Sequence, residues 1–509
     1  MTIRRNLLLI SLVCFAVILA VCASSFVFAF DAQTADFGAN ISYMYKEVYF
    51  TSATSSSSSK LSATYNIRTL TITVNNLGSS GGRGGSSSSS SATLTCTIHN
   101  SFDYVAYYNG YTEQSNSNSK ISYTVSGLTD GFSLSPNEDL TVTIKVSVSS
   151  SSSGGRGGSS SKQSGTIVLY FDFKDSYEVK SGETVDKVID KTIENGGQIK
   201  LTEDTEISAL NIKATTTNDI AIDLNGYNLT CTNSQDGGHA IEATGSTNIT
   251  IRNSQPATGE FICNEIAVYI DENYSGTFTL DGVSVKTTGD VAVRNASTKS
   301  GKLYVKNSTI YSEQWAGINN VASGILEIDG STISGNNYGV KNDGGGTATV
   351  KNSTITQRGD NAVSLSYIEM AGVYNANNSI LNIENCTVTG VYHAMMVESG
   401  TVNIYSGIYT NTDTTDEGND TLILVDGGTL NINNGTFTSA STDNKALYAN
   451  GGSTNVNGGT LVGTLANTSG SIVVKGGTYQ SETYSNYLAD GYSSSSTDSR
   501  GYYIVSYNN

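Results

Sequence analysis

The phrase LYVKNSTI at residues 303–310 returns as LEIDGSTI at 326–333 and as ATVKNSTI at 348–355. Further copies are LNIENCTV at 381–388, LNINNGTF at 430–437 and IVVKGGTY at 472–479. Each copy alternates apolar residues, then has Gly or Asn or a pair of them, then a small residue, and often Thr. Repeats of 18 to 33 residues predict a solenoid, because a single repeat of this size cannot bury its apolar face alone.

One position of the phrase predicts a bend between two strands. Gly and Asn take positive φ more readily than other residues, so their recurrence there indicates a left-handed conformation. Ser406 is the exception, and it lies between two unusually long repeats. Aligning the phrases assigns this position to Gly226, Asn253, Gly282, Asn307, Gly330, Asn352, Asn385, Ser406, Asn434, Gly458 and Gly476.

A second pattern, a small residue followed by an apolar one, lies upstream of most of the phrases and predicts three short strands per coil, and the bend positions predict about eleven coils. Its members are Ala240-Ile241, Ala267-Val268, Ala292-Val293, Gly317-Ile318, Gly339-Val340, Gly372-Val373, Ala394-Met395 and Ala446-Leu447. The whole resembles the right-handed parallel β-helix of the pectate-lyase-like superfamily, in which a left-handed Asn sits between the second and third strands. The resemblance implies an all-β fold, but many functions share that scaffold.

Residues 1–30 have the pattern of a secretory signal. Arg4 and Arg5 precede an apolar stretch, and Val27-Phe28-Ala29 supplies small residues for cleavage. The apolar stretch 7–30 is also long enough to remain as an uncleaved membrane anchor. Both alternatives predict an exported protein, either secreted or held at the cell surface.

Residues 31–175 lack the repeat and alternate apolar with polar residues, as in ATLTCTIHN at 92–100. This alternation predicts antiparallel strands with one buried face. The stretch 122–148, SYTVSGLTDGFSLSPNEDLTVTIKVSV, resembles the Ig-like sandwich modules of bacterial surface proteins. Two Ser/Gly-rich tracts around Arg83 and Arg156 predict loops within this domain.

Residues 176–509 are predicted to form one solenoid with a cap at each end. Val185, Val188, Ile189 and Ile193 fall at helical spacing, which predicts a short amphipathic helix over the N-terminal end. The tyrosine-rich tail that follows the last phrase predicts the C-terminal cap. That tail resembles the closing segment of β-helix domains in secreted proteins of gut Gram-positive bacteria.

Charge and cysteine content narrow the expected partners. The net charge is −17, and no Lys/Arg cluster occurs, which argues against nucleic acid. Contact with a membrane is expected only through residues 7–30, if they stay uncleaved. Cys231 and Cys263 fall at matching points of consecutive coils and predict either a disulfide or two buried thiols.

Two long coils indicate where a binding site would lie, because long loops on a rigid scaffold collect such sites. The resemblance implies activity on the outer face of the first strand, between such loops. Tyrosine rings there would stack on sugar rings. The candidate ligand-binding residues are Arg358, Asp360, Tyr367, Tyr374, Tyr392 and His393.

The second long loop is acidic, and its side chains Asp413, Asp416, Glu417 and Asp420 are either Ca²⁺ ligands or a solvated surface. Ca²⁺ is therefore the one cofactor that the sequence suggests. A polysaccharide lyase would need stacked acids beside an Arg or Lys. Arg294 and Lys341 lie near first strands, but the sequence shows no acidic cluster beside either.

Catalytic motifs of polygalacturonase-like relatives, an Asp-Asp pair with Gly-His-Gly and Arg-Ile-Lys, are absent from the sequence. The leading prediction is therefore a non-catalytic, adhesin-like surface protein that binds a polysaccharide or a cell-surface glycan. A lyase or glycoside hydrolase acting on pectin-like polymers is the alternative.

Threonines that point outward on the third strand allow a third, less favoured function, ice binding. The first predicted column is Thr309, Thr332, Thr354, Thr387, Thr436, Thr460 and Thr478, and a second contains Thr356, Thr389 and Thr438. Tyr311, Ile408, Val462 and Gln480 interrupt these columns, and threonine suits any exposed strand.

Overall fold

The computed structural model describes residues 48–508 except 79–90, 103–104, 130–131, 136, 149–161, 175, 180–184, 186–187, 189–196, 215–218, 232–237, 360–369 and 414–420. The predicted signal and most of both Ser/Gly-rich tracts lie outside the described residues. In the described part of the chain, no helix has the length and apolar content needed to cross a bilayer.

Two antiparallel sheets form the N-terminal part of the described chain. The four-stranded sheet contains, in spatial order, Val48–Ser55, Ser91–Asn100, Asp139–Val148 and Ile121–Ser126. The five-stranded sheet contains Leu61–Asn66, Thr69–Leu77, Gln163–Lys174, Ala106–Asn116 and Ser133–Leu134. Alternate residues of both sheets, among them Leu94, Ile144, Ile72 and Phe171, meet in one buried core. The predicted antiparallel strands with one buried face are therefore confirmed.

Three parallel sheets form the solenoid, and each coil adds one strand to every sheet. Sheet 1 contains Leu210–Ala214, His239–Gly245, Ile266–Ile270, Val291–Asn295, Ala316–Asn320, Tyr338–Asn342, Ala371–Asn375, His393–Val397, Thr421–Val425, Lys445–Ala449 and Thr464–Asn467.

Sheet 2 follows sheet 1 in each coil. It contains Tyr177–Glu178, Gly197–Lys200, Ile220–Asp223, Ile249–Arg252, Thr277–Asp281, Lys302–Lys306, Ile325–Asp329, Thr347–Lys351, Ile380–Glu384, Thr401–Ile404, Thr429–Ile432, Ser453–Val456 and Ser471–Val474.

Sheet 3 completes the coil. Its parallel strands are Thr205–Ile207, Leu229–Cys231, Phe261–Cys263, Ser284–Thr287, Thr309–Ser312, Thr332–Gly335, Thr354–Gln357, Cys386–Gly390, Gly407–Asn411, Thr436–Thr438, Thr460–Val462 and Gly477–Tyr479.

Identical inward positions stack from coil to coil, which fixes the register of all three sheets. In sheet 2, Val305 pairs with Ile328 and Ile328 with Val350, and all three are buried in one continuous core. A slip of one residue would turn each of these side chains to solvent. The predicted parallel β-solenoid with three strands per coil is confirmed.

A buried column of asparagines runs along the corner where the sheet 1 strands end. Asn295 donates from Nδ2 to Oδ1 of Asn320 at 2.8 Å, Asn320 to Asn342 at 2.8 Å, and Asn342 to Asn375 at 2.9 Å. All four side chains are fully buried. Since a buried amide must be hydrogen-bonded, each coil in this stretch depends on its neighbour.

The predicted bend is left-handed at six of its eleven positions. These are Gly226, Gly282, Asn307, Gly330, Asn352 and Asn385, with φ between 48° and 85°. Asn253 does not take positive φ. Its Oδ1 instead accepts hydrogen bonds from the backbone N–H groups of Gly226, at 2.9 Å, and Gln255, at 3.1 Å.

In the last four bends the prediction is wrong by one residue. The left-handed residue is the following glycine, Gly407, Gly435, Gly459 or Gly477. Large inward rings explain the shift. A Cβ on Gly435 would lie 3.1 Å from Cε2 of Phe437, and one on Gly407 would lie 3.1 Å from Cε2 of Tyr409. The same Cβ on Gly407 would lie 2.4 Å from the backbone oxygen of Cys386, so ring and backbone together leave room only for glycine. Ser406 is therefore an ordinary bend residue.

Both ends of the solenoid are covered. Val185 and Val188, the described residues of the predicted N-terminal cap, are helical and buried in the solenoid core. At the other end, a 3₁₀-helix Glu482–Tyr487 precedes a hairpin of strands Tyr492–Thr497 and Tyr503–Tyr507. The hairpin pairs antiparallel with Gly477–Tyr479, and Tyr484 stacks on Tyr479.

Candidate functional site

The outer face of sheet 1 carries the residues that differ most from coil to coil. In the strand Tyr338–Asn342, Val340 points into the core, whereas Tyr338 belongs to a separate hydrophobic cluster outside it. The fourth residues of successive strands form one outward column by parallel pairing. That column is Glu242, Tyr269, Arg294, Asn319, Lys341, Tyr374, Met396, Leu424 and Tyr448.

Three rings near the middle of this face form an aromatic cluster, Trp315, Tyr338 and Tyr374. The ring of Trp315 meets that of Tyr338 edge-on at 5.6 Å, and Tyr338 lies 5.4 Å from Tyr374. The ammonium of Lys341 lies 5.1 Å, 5.5 Å and 5.3 Å from the three ring centroids. Such distances give a cation–π attraction that strengthens as the cation is desolvated.

Carboxylates complete the surroundings of this cluster. Nζ of Lys341 lies 2.6 Å from Oδ2 of Asp343, and the hydroxyl of Tyr374 donates to Oε2 of Glu398. Asp343 and Glu398 both directly follow a sheet 1 strand, two coils apart. The site therefore combines ring faces, one ammonium and two carboxylates, groups that bind polyhydroxylated ligands.

Three consecutive coils each leave one buried polar atom without a hydrogen-bond partner among the described residues. These atoms are Nε of Arg294, Oδ1 of Asn319 and Oδ1 of Asp343. Asn319 is only 2% exposed, and its neighbours in the outward column are Arg294 and Lys341. Buried polar atoms are nearly always paired, so a donor–acceptor group of a ligand would satisfy this set.

Titratable side chains also lie on the two sheet 1 strands that precede the strand of Arg294. The imidazole of His239 stacks on the ring of Tyr269 at 4.1 Å and 6°. Burial, and then the charge of Arg294, lowers the pKa of His239. Burial, and then the charge of Asp271, raises the pKa of Glu242. Glu242 also accepts a hydrogen bond from Nδ2 of Asn211 at 2.8 Å.

The sequence missed most of this site. Trp315 is the single tryptophan of the chain and directly precedes a sheet 1 strand, which was the available signal. The sequence did not single out Asp343, the one acid that pairs with Lys341 among the described residues.

The predicted ligand-binding residues are not all brought together. Tyr374 joins the aromatic cluster, while His393 is 1% exposed, with Nδ1 2.5 Å from the carbonyl of Thr421. Arg358 lies over the ring of Tyr311 at 4.2 Å and donates to Oγ of Ser334 at 3.0 Å, on sheet 3.

Other predicted residues are partly outside the description. Tyr392 is in the turn that enters the His393 strand, whereas Asp360 and Tyr367 lie outside the described residues. Of the predicted Ca²⁺ ligands, Asp416, Glu417 and Asp420 also lie outside them, so that site stays a prediction. Among the residues that are described, no group of three or more His, Cys, Asp or Glu side chains is arranged to hold a metal ion.

Cys231 and Cys263 are paired in register on adjacent strands, and both are buried, free thiols in the structure. Burial raises the pKa of Cys263 to about 11. The thiol of Cys231 contacts the carbonyl of Ser208 at 3.1 Å. The disulfide between them stays a prediction.

The threonine columns lie on the outer face of sheet 3. Parallel pairing aligns Thr332 with Thr354 and Thr354 with Thr387. Thr410 extends the second column, with its Oγ1 3.2 Å from that of Thr389. Ile408, 51% exposed, interrupts the first column.

Comparisons with known proteins add little to this geometry. No protein-family model matches the chain, and no curated protein matches it in sequence. Among solved structures, the chain is similar to the catalytic domain of a GH87 alpha-1,3-glucanase in complex with tetrasaccharides. The two are 10% identical, with a TM-score of 0.19, over 87% of this chain and 98% of that one. Likeness at this level supports no inference about the activity of this chain.

Proposed function

We propose that this chain is an exported surface protein that binds a glycan on the outer face of sheet 1. One observation carries the proposal: consecutive coils combine the aromatic cluster with buried polar atoms of Arg294, Asn319 and Asp343 that have no hydrogen-bond partner among the described residues. Ring faces stack on the apolar faces of sugars, and hydroxyl groups both donate and accept, so a sugar would satisfy both kinds of polar atom.

Export and adhesion belong to the proposal and rest on the sequence of residues 1–30. A solenoid presents an extended, rigid row of side chains, which suits a linear polymer. Each coil advances by about 4.8 Å along the axis, a length comparable to one sugar unit in an extended glycan.

A glycan array probed with the full chain tests the proposal. We expect binding to a small set of glycans, and loss of that binding in the Trp315→Ala variant. Tyr405→Ala is the matched control, because Tyr405 is 50% exposed and follows a sheet 2 strand. Binding to no glycan, or equal loss in the Tyr405 variant, would contradict the proposal.

The second candidate function is cleavage of a polysaccharide on the same face. The pKa of Glu242, raised by burial and then by the charge of Asp271, favours it, because the general acid of a glycosidase is a carboxyl group with a raised pKa. This candidate predicts release of reducing ends or unsaturated uronides from a bound polymer, abolished in Glu242→Gln. Binding without any released product would leave the non-catalytic function.

A further inference from the structure

The turns that border the sheet 1 strands are acidic on both sides of the face. Turns that enter the strands carry Glu265, Asp290, Glu313, Asp413 and Asp443. Turns that leave them carry Asp219, Asp271, Glu272, Asp343, Glu398 and Asp426. We call these residues the acidic rims. The basic residues of the same turns, among those described, are Lys299 and Arg358.

The cations on the sheet 1 strands, Lys213, Arg294, Lys341 and Lys445, are fewer than the eleven acids of the rims. Lys341 is neutralised by Asp343 at 2.6 Å and surrounded by rings, and the guanidinium of Arg358 is turned over Tyr311 on sheet 3. A face lined by one sign of charge attracts ligands of the opposite sign and repels those of its own. A polyuronate would therefore be repelled by both rims.

The centre of the face already holds an ammonium group. The chain places its own Lys341 against three ring faces and one oxygen of Asp343. The other oxygen of Asp343 and Oδ1 of Asn319 are acceptors without partners among the described residues. An ammonium on a ligand has three donors and no acceptor, which suits two such oxygens.

From the acidic rims and these two acceptors we infer that the glycan bound on sheet 1 carries free amino groups, as a de-N-acetylated hexosamine polymer does. The inference rests on the proposed function and names the class of its ligand. Nε of Arg294, which also has no partner among the described residues, is a donor, and a ring hydroxyl of the same sugar would accept its hydrogen bond.

Calorimetric titration of the full chain with three hexamers tests the inference: glucosamine, N-acetylglucosamine and galacturonic acid, at a pH where the amine is protonated. We expect the glucosamine hexamer to bind about tenfold more tightly than the N-acetylated one, the effect of one charge-assisted hydrogen bond. The affinity should fall as salt is added, because salt screens exposed charges. No binding of the uronate is expected.

Variants separate the site from general attraction to an acidic protein. Asp343→Asn should lose about tenfold in affinity for the glucosamine hexamer and little for the N-acetylated one. Glu327→Gln, the same loss of charge on the outer face of sheet 2, should bind as the parent does. Asp426→Asn on a rim provides a second variant if Asp343→Asn unfolds, as judged by thermal melting.

Each other outcome overturns the inference. Equal or tighter binding of the N-acetylated hexamer or the uronate would leave glycan binding intact and refute the amino-sugar class. Equal binding of hexalysine, with no effect of Asp343→Asn and Asp426→Asn, would indicate unspecific charge attraction. Binding of none of the hexamers, together with an empty glycan array, would refute the proposed function itself.

Discussion

Nζ of Lys351 lies 3.1 Å from Oε2 of Glu384, its neighbour on the next coil. This pair ends a column at the sheet 2 corner in which charge alternates without a break. The column is Asp223, Arg252, Asp281, Lys306, Asp329, Lys351 and Glu384. A register slip of one residue would place Lys351 opposite the uncharged Ile383 or Asn385, so the column favours one register.

Reversing one charge of this column should lower the melting temperature. In Lys351→Glu, three acids, at positions 329, 351 and 384, would face one another on consecutive coils. The double variant Lys351→Glu with Glu384→Lys should recover part of the loss. Lys475→Glu, at the equivalent corner position of a later coil, is the control and should melt as the parent does. Equal melting of all variants would show that the column does not contribute.

The buried asparagine column should be sensitive to truncation. Asn320→Ala leaves Oδ1 and Nδ2 groups of its two neighbours unpaired, and each unsatisfied buried group costs about 1–3 kcal/mol. We expect a loss of roughly 2–5 kcal/mol in the free energy of unfolding, measured by denaturant titration. Asn403→Ala is the matched control, because Asn403 belongs to a similar amide ladder on the outer face of sheet 2, where it donates to Asn382 at 3.0 Å. Equal losses in both variants would contradict this assignment.

Stability should fall between pH 7 and pH 5 through His393. Burial lowers its pKa in the folded state, and the hydrogen bond to Thr421 only partly opposes this. The unfolded state therefore binds a proton below about pH 6.5 that the folded state does not, so acid favours unfolding. The loss of stability continues until the pH reaches the lowered pKa of His393 in the folded state, because below that pH both states bind the proton.

Thermal melts at pH 7.5 and pH 5.5 check this prediction. The difference between the two melting temperatures should be smaller in His393→Asn than in the parent. His99→Gln is the control, because His99 lies in the N-terminal sheets against Asp139. An unchanged pH difference in the His393 variant would exclude this residue as the cause.

Oxidation should join Cys231 to Cys263. Their strands pair directly, residue against residue, and neighbouring strands are spaced within the Cα distance of a disulfide. We expect a cross-linked peptide by mass spectrometry after treatment with diamide. The reaction should be slow, because burial keeps the pKa of Cys263 at about 11 and little thiolate is present. The Cys263→Ser variant should give no such cross-link, and a folded parent that cross-links only after denaturation would show that the native geometry forbids the bond.

The sequence predicted the solenoid because each coil repeats the same short-range rules. Alternating apolar residues, as in LYVKNSTI, need only local pairing to become stacked strands, and Asn307 or Gly330 needs only its own backbone freedom to make the bend. The last four bends were misassigned because their conformation depends on ring packing. Phe437 and Tyr409 exclude a side chain from the corner, and no local pattern reports that contact.

The candidate site was less predictable, for a physical reason. Trp315, Asn319, Lys341, Asp343 and Tyr374 come from three coils and two types of element, so nothing in their spacing connects them. The sequence by itself determined the coil, its inward stack and the outward direction of Lys341 and Tyr374, since these follow from strand periodicity. Only the tertiary structure decided which outward side chains meet. Turns of unequal length set how the coils align, and they also set where Trp315 and Asp343 lie relative to Lys341 and Tyr374.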